Sequence, residues 1–326
     1  MGLLSINDFC DLYFQLRRVP LSSIIRRFTP ARMNAVKTAW GIDDYPPKNW
    51  YNIKAVLERS HYLMTGDPHK DPMQYIYEKY LKSKEPLVAC SLGSGMGMKE
   101  LEWCFTATFN EFEGFELSQK LVKIANSSAK ANNRKELAFY SVDLSKKIFE
   151  KAKYDVAFAY HSLHHFYPVE NVINKVRDAL RPDGVFVIEE YVGPNRFQWS
   201  DAQIDAANEL LSIIPEKYRQ RYRLKHIKKK AHRPGTLRML MADPSEAVDS
   251  EMIMPTLRKH FDIVELREFG GTILQSLFHD IAQNFEDNDP EGMKYVKLAL
   301  DKEDELLKKG ELKSDFVLAV CRKLSN

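Results

Sequence analysis

The stretch SLGSGMG, residues 91–97, places three glycines within seven positions, directly after the apolar run PLVAC at 86–90. Glycine tolerates a positive φ and lets backbone approach a ligand closely, because it has no Cβ. The apolar run predicts a buried strand, and MKELEWCFTATF at 98–109 predicts a helix. A glycine-rich turn between a strand and a helix N-terminus is typical of α/β proteins that bind a ligand there.

Further strand-like segments rich in Val, Phe and Ala follow this turn, and helical patterns separate most of them. The predicted strands are 86–92, 111–117, 137–144, 153–163, 184–192, 261–269 and 314–323, with helices at 98–109, 118–132 and 169–180. Apolar strands that alternate with helices indicate a parallel sheet covered on both faces. We therefore predict an α/β fold with a doubly wound, mostly parallel, seven-stranded Rossmann-like sheet.

Two regions fall outside this alternation. Residues 1–84 predict an N-terminal helical cap, and residues 193–256 predict an insertion after the fifth strand of a core at 85–326. Ligands of open α/β sheets bind at the carboxyl ends of the strands. We therefore expect the insertion, with the cap, to form a substrate-side lid, although a purely stabilising role for the cap is the alternative.

The composition is that of a globular protein, with 326 residues, 44% of them hydrophobic and 29% charged. No apolar run approaches the ~20 residues of a membrane helix, so we predict no membrane span. The start MGLLSINDFC lacks the pattern of a secretory signal, and four scattered cysteines predict reduced thiols. We therefore expect a cytoplasmic protein. Its net charge of +3 restricts any contact with a polyanion to a local patch.

The glycine spacing disfavours two common nucleotide loops. A phosphate-binding P-loop ends in Gly-Lys-Ser/Thr, whereas Gly97 is followed by Met98 and Lys99. A dinucleotide loop of spacing G-x-G-x-x-G requires a glycine at position 98. Two acids at predicted strand ends instead indicate a ligand that contains adenosine. Glu116 could accept hydrogen bonds from both ribose hydroxyls, and Asp143 could accept one from an adenine amino group.

With these features the sequence resembles the class I S-adenosylmethionine-dependent methyltransferases, over residues 85–192 and more loosely to the end. YDVAFAYHSLHHF and ALRPDGVFVIEEY are similar to the family's fourth and fifth strand motifs. The resemblance implies S-adenosylmethionine as the cofactor. The cofactor-binding residues that it implies are Gly93, Ser94, Gly95, Gly97, Glu116, Leu117, Asp143, Leu144, Tyr160 and His161. One position departs from the pattern, because many members carry an acid where this chain has Ser91.

Candidate catalytic residues lie at the ends of the fourth and fifth predicted strands. Methyl transfer is a displacement at a sulfonium, for which a protein aligns the acceptor and manages its proton. His164 and His161 are candidates for the base, with Glu190 as a further one; a turn or a solvated strand end are the alternatives. A metal site requires ligands with defined spacing and a second shell; we predict no metal, and a site at the three histidines of HSLHH is the less favoured alternative.

The stretch EKYRQRYRLKHIKKKAHRPGTLR, residues 216–238, carries ten Lys or Arg residues. It predicts either a solvated helix face or an anion site for a phosphate, a diphosphate-linked sugar or a nucleic-acid backbone. The low net charge argues against broad nucleic-acid binding. The candidate residues for contact with the methyl acceptor are His165, Arg196, Trp199 and Arg238.

The segment ERSHYLMTGDP at 58–68 and the insertion also resemble bacterial members of the superfamily that we associate with surface-polysaccharide and secondary-metabolite biosynthesis. This resemblance predicts O-methylation of a small or glycan-type, sugar-like acceptor, and it is compatible with a homodimer. Two alternatives stay open. One is an RNA methyltransferase that uses residues 216–238, and the other is a cofactor-binding protein without turnover.

Overall fold

A computed structural model of the chain describes residues 48–222 and 226–324. Residues 1–47, more than half of the predicted cap, lie outside this description. The described residues form two compact units, which we call the sheet unit and the helical unit. The sheet unit contains 70–192, 247–267 and 317–324, and the helical unit contains 48–69, 193–222, 226–246 and 268–316.

All seven predicted strands are present, in one sheet of order β3-β2-β1-β4-β5-β7-β6. Their bounds are β1 Leu87–Leu92, β2 Phe109–Glu116, β3 Leu137–Ser141, β4 Tyr154–Tyr160, β5 Leu180–Tyr191, β6 Phe261–Gly270 and β7 Phe316–Lys323. The β1–β2, β1–β4, β2–β3 and β4–β5 pairs are parallel. The predicted doubly wound, mostly parallel sheet is thereby confirmed. Its strand order reverses between β1 and β4, the switch point at which ligands of open α/β sheets bind.

The described helices include ten α-helices. Their bounds are α1 Lys54–Thr65, α2 Pro72–Ile76, α3 Met98–Thr106, α4 Gln119–Ala131, α5 Val169–Ala179, α6 Asp201–Ile213, α7 Thr236–Ala242, α8 Ile253–His260, α9 Leu274–Phe278 and α10 Pro290–Lys308. Within this part of the chain, no helix is both long enough and apolar enough to cross a membrane.

The core of the sheet unit follows from the apolar pattern of its elements. In β4 every residue except Tyr160 is buried, as expected for a strand covered on both faces. Helix α5 buries one stripe at helical spacing, formed by Val169, Val172, Ile173, Val176 and Ala179. These residues pack with the buried side chains of β1, β4, β5 and β7 in one hydrophobic cluster.

Several predicted strand boundaries differ from the structure, among them the end of the fourth strand at Tyr160 rather than at 163, and two of the differences have a clear local reason. Strand β3 ends at Ser141 rather than at 144, because Asp143 forms a turn in which its Oδ1 accepts from Ser145 N at 3.0 Å. Strand β5 begins at Leu180 rather than at 184, since the Pro-Asp-Gly sequence at 182–184 is accommodated as a register irregularity within the strand.

The helical unit has a core of its own, formed mainly by α1, α6, α9 and α10. Residues 273–310 of this unit contain α9 and α10. Residues 193–246 and 268–316 belong to this unit, whereas residues 247–267, which lie between them in the sequence, belong to the sheet unit. The proposal of a cap at 1–84 and a lid at 193–256 stays a prediction.

Candidate cofactor site and catalytic residues

The glycine loop is shaped by the residues that it packs against. Gly93, Gly95 and Gly97 have φ values of +65°, +54° and +77°, a region that favours glycine. A Cβ on Gly97 would lie 2.5 Å from the Phe139 ring, and one on Gly93 would lie 2.7 Å from Ser162 Cβ. These two glycines therefore let the loop pack closely against β3 and against the segment that follows β4.

Gly95 differs from the other two, because a Cβ there would meet no atom of the described residues within 4 Å. Its N–H donates to Glu116 Oε2 at 3.1 Å, and Glu116 Oε1 accepts from Ser118 N at 2.8 Å. Burial raises the pKa of this carboxyl group. A carboxylate offers about four acceptor positions, so both Glu116 oxygens retain capacity for ligand hydroxyl groups.

Asp143 lies two residues beyond β3, and its two oxygens have different environments. Oδ1 accepts from Ser145, which lowers the pKa of the carboxyl group against the opposing effect of burial. Oδ2 is buried without a hydrogen-bond partner among the described residues, 3.4 Å from Lys146 Nζ. Of the two leucines predicted beside these acids, Leu144 is buried in the core, and the Leu117 carbonyl accepts from Ser141 Oγ at 3.2 Å.

Four buried polar atoms around the carboxyl ends of β1, β3 and β4 have no hydrogen-bond partner among the described residues. They are Ser94 Oγ, Glu100 Oε2, Asp143 Oδ2 and Ser162 Oγ. Buried polar groups are nearly always paired, so this edge of the sheet fits a polar ligand. Sequence reasoning missed Glu100, which lies outside the glycine motif on a helix, and Ser162, although Ser162 lies at the predicted end of the fourth strand.

Tyr160 and His161 end β4 with different surroundings. The Tyr160 hydroxyl accepts from Trp103 Nε1 at 2.9 Å on α3, and burial raises the pKa of the phenol well above its usual range. His161 has a φ of +49° and an exposed side chain, with its Nε2 3.3 Å from Glu189 Oε1. Tyr160 therefore belongs to a packed contact, whereas His161 stands at the surface of the unit.

His164 and Glu190 form a buried pair directly after β4 and at the end of β5. His164 Nδ1 lies 2.7 Å from Glu190 Oε2, and Glu190 is fully buried. Glu190 Oε1 accepts from the backbone N–H groups of Ser162 and Leu163. The ring of His165, a predicted acceptor contact, lies 4.2 Å from the His164 ring between centroids. The carboxylate therefore fixes both the turn after β4 and the orientation of the His164 imidazole.

The other predicted acceptor contacts lie in the helical unit. Arg196 donates to the backbone carbonyls of Glu246 at 2.9 Å and Pro244 at 2.7 Å. Trp199 is buried and stacks against Phe197, with 5.6 Å between ring centroids. Arg238 lies half-buried on α7. The roles of these residues toward an acceptor stay predictions.

Much of the basic stretch 216–238 is engaged within the helical unit. Lys228 is buried, and its Nζ donates to the carbonyls of Ser276, Leu277 and His279 at 2.8 to 3.0 Å. Burial lowers the pKa of this amine well below its usual range. Because Lys228 satisfies carbonyls at the end of α9, it stabilises this unit. Residues 223–225 of the stretch lie outside the described residues.

Tyr218, which lies within this basic stretch, is also engaged in the helical unit. Tyr218 is 3% exposed, and its hydroxyl donates to Asp289 at 2.6 Å. Its ring stacks on Phe285, with 5.5 Å between centroids. These contacts do not favour the alternative of a nucleic-acid surface at 216–238.

Comparison with known proteins identifies the part of the chain that contains the glycine loop. Residues 88–188 match the family described as a methyltransferase domain. The match agrees with the resemblance of residues 85–192 to the class I S-adenosylmethionine-dependent methyltransferases. The predictions of a methyltransferase and of S-adenosylmethionine as its cofactor are confirmed at the level of this domain. No curated protein matches the sequence.

Solved structures similar to the chain include three proteins of low sequence identity. Phosphoethanolamine N-methyltransferase 2 of Haemonchus contortus, in complex with S-adenosylmethionine, is 12% identical, with 84% of this chain and 58% of that chain covered and a TM-score of 0.49. An S-adenosylmethionine-dependent methyltransferase from Mesorhizobium loti is 18% identical, with 77% and 98% covered and a TM-score of 0.46. The [4+2]-cyclase SpnF is 12% identical, with 87% and 100% covered and a TM-score of 0.47.

The residues around the loop fit the groups that S-adenosylmethionine presents. The cofactor carries ribose hydroxyls, an adenine amino group and an ammonium group as donors, and a carboxylate as an acceptor. The site offers three carboxyl groups, those of Glu116, Asp143 and Glu100, and the hydroxyls of Ser94 and Ser162. Donors and acceptors are therefore present for both ends of such a molecule.

Proposed function

We propose that the protein is an S-adenosylmethionine-dependent O-methyltransferase that acts on a small or sugar-type hydroxyl acceptor. The observation that supports this proposal is the buried pair of His164 and Glu190 at the carboxyl ends of β4 and β5. S-Adenosylmethionine, when bound, supplies an activated methyl group on a sulfonium. An alcohol acceptor is a weak nucleophile until its proton is removed, so a positioned base accelerates its methylation.

In this proposal His164 is the base, and Glu190 orients it. An ionised carboxylate can only accept hydrogen bonds, so Nδ1 of a neutral His164 carries the proton that faces Glu190. The other ring nitrogen, Nε2, then has the lone pair that can take the proton of a hydroxyl group. Glu190 also stabilises the imidazolium that forms. Because both Glu190 oxygens already accept backbone N–H groups, Oε1 from Ser162 and Oε2 from Tyr191, this arrangement favours a positioning role for Glu190 over the predicted role as a base.

The acceptor class rests on the resemblance of residues 58–68 and 193–256 to bacterial methyltransferases of polysaccharide and secondary-metabolite biosynthesis. The contacts of Lys228 and Tyr218 support this class over a nucleic acid, because these side chains are buried in the helical unit. We therefore propose an acceptor with free hydroxyl groups and the size of a sugar or a metabolite.

The proposal is tested with methyl-labelled S-adenosylmethionine and a panel of sugars, phenols and hydroxy acids. We expect His164→Asn to lower turnover of the methylated acceptor by about 10²- to 10⁴-fold, with affinity for the cofactor within about twofold. His260→Asn is the matched control, because His260 on α8 also pairs with a carboxylate, that of Glu170 on α5, at 2.7 Å. Unchanged turnover in His164→Asn would show that His164 is not the base.

A further inference from the structure

Glu100 is a buried acid with an incomplete set of partners. It lies in the first turn of α3, three residues after Gly97, and is 2% exposed. Its Oε1 accepts from Ser91 Oγ at the end of β1. Its Oε2 is buried and has no hydrogen-bond partner among the described residues.

No cation of the described residues forms an ion pair with Glu100. The adjacent Lys99 is exposed, and its Nζ instead pairs with Glu102 Oε2 at 3.0 Å. Burial raises the pKa of Glu100 to about 7. An ionised carboxylate in this position therefore lacks the counter-charge that normally offsets its desolvation.

Glu190, in the same unit, is a buried carboxylate in which both oxygens have hydrogen-bond partners. Glu190 is equally buried, but its oxygens accept from the backbone N–H groups of Ser162, Leu163 and Tyr191, and its Oε2 lies 2.7 Å from His164 Nδ1. Glu100 has the Ser91 hydroxyl on Oε1 and an interaction with its own backbone N–H, and its Oε2 has no hydrogen-bond partner on another described residue. Since buried polar groups in native proteins are nearly always paired, the free oxygen of Glu100 points to a ligand.

The position of Glu100 indicates which chemical group that ligand brings. Ser91, its one hydrogen-bond partner, ends the strand that leads into the glycine loop, and Glu100 belongs to the helix that leaves the loop. A partner for a lone carboxylate oxygen must donate a hydrogen bond, and a positively charged donor also supplies the missing counter-charge. S-Adenosylmethionine carries one ammonium group, on its methionine part.

We propose that Glu100 binds the ammonium group of the cofactor's methionine part. Helix α3 then supplies the carboxylate for this group, since this chain has Ser91 near the end of β1 instead of an acid. The proposal rests on the proposed function, because it requires S-adenosylmethionine in this site. Ser91 Oγ then serves to orient the carboxylate through its bond to Oε1.

The test removes the Glu100 carboxylate and the amino group of the ligand, separately and together. Calorimetry measures binding of S-adenosylhomocysteine and of its deamino analogue, which has a hydrogen atom in place of the amine, to the full chain and to Glu100→Gln. The exposed acid Glu102 on the same helix provides the control, Glu102→Gln. We expect the wild-type chain and the control to bind S-adenosylhomocysteine at least about tenfold more tightly than the analogue.

In Glu100→Gln we expect this preference to fall to within about twofold, through weaker binding of S-adenosylhomocysteine alone. Binding of the analogue to Glu100→Gln also shows that the variant is folded. An undiminished preference in Glu100→Gln, or an equal loss of both ligands, would overturn the assignment of Glu100. Absence of binding of both ligands to the wild-type chain would instead overturn the proposed function.

Discussion

The two units each bury a glutamate, and the two side chains are treated in opposite ways. In the helical unit Glu303 is fully buried, and its Oε2 lies 3.0 Å from Arg59 Nη1. Its oxygens also accept from Gly271 N at 3.1 Å and from Ile273 N at 2.8 Å. In the sheet unit Glu100 has one serine hydroxyl and no cation among the described residues.

The buried charge of Glu303 is compensated by Arg59 and by backbone N–H groups, whereas Glu100 has no such compensation among the described residues. Glu303 joins α10 to α1 and to the start of α9, and its charge is compensated inside the unit. Glu100 joins α3 to the end of β1 through a single hydrogen bond. Burial alone therefore does not distinguish the two acids, whereas the unsatisfied Oε2 of Glu100 does.

The largest effect should come from breaking the compensated pair. We expect Arg59→Met to lower the free energy of unfolding by about 3–5 kcal/mol, because it leaves Glu303 as a buried charge without a counter-charge. Urea unfolding of the variant measures this loss. Lys297→Met, which removes an exposed pair with Asp301 on α10, should change stability by less than about 1 kcal/mol. Equal effects of the two substitutions would contradict the distinction.

The glycine loop offers a second comparison, within the sheet unit. We expect Gly97→Ala to destabilise by about 2–4 kcal/mol, since its Cβ would lie 2.5 Å from Phe139 at a φ of +77°. Gly95→Ala meets no described atom, so only its φ strain of about 1–2 kcal/mol should appear in unfolding experiments. Calorimetry should show weaker binding of S-adenosylhomocysteine to folded Gly95→Ala, and unchanged affinity would contradict a ligand beside Gly95.

Titration of Glu100 should make the free energy of unfolding depend on pH. Burial raises the pKa of Glu100 from 4.5 to about 7, so the stabilisation from its protonation is fully present below 4.5 and is lost as pH rises through about 7. Relative to Glu100→Gln, the ligand-free wild-type chain should therefore lose at most about 3 kcal/mol over this range.

Unfolding of both proteins at a series of pH values measures this difference. Lys99, Glu102, Cys104 and Tyr160 also interact electrostatically with Glu100. They are present in both proteins, so the difference between the two curves isolates Glu100. A difference that does not vary with pH would show that Glu100 does not titrate in this range.

The sequence predicts the sheet well, because the strand signal is local. Apolar runs such as 86–92 and the glycines after them identify β1 and its loop without knowledge of tertiary contacts. Boundaries set by a single side chain are harder to predict. Asp143 starts a turn after β3 rather than ending the strand, since its carboxylate binds the backbone of Ser145.

The candidate site is only partly predictable, because its polar partners come from distant parts of the chain. Glu116 and the three glycines follow from their spacing. Glu100 does not, since its position after Gly97 places it on a helix but does not tell which face is buried. The burial of Lys228 cannot be predicted from the basic stretch 216–238 either, because the carbonyls that it binds lie about 50 residues later in the sequence.

The central claim is that the glycine loop and Glu116 form the binding site for S-adenosylmethionine. Its most direct test is calorimetric titration of the chain with S-adenosylhomocysteine, repeated with Glu116→Ala and with the control Glu111→Ala from the other end of β2. We predict one site per chain, weakened at least about tenfold in Glu116→Ala and unchanged in the control. Absence of binding to the wild-type chain, or equal affinity in all three proteins, would contradict the claim.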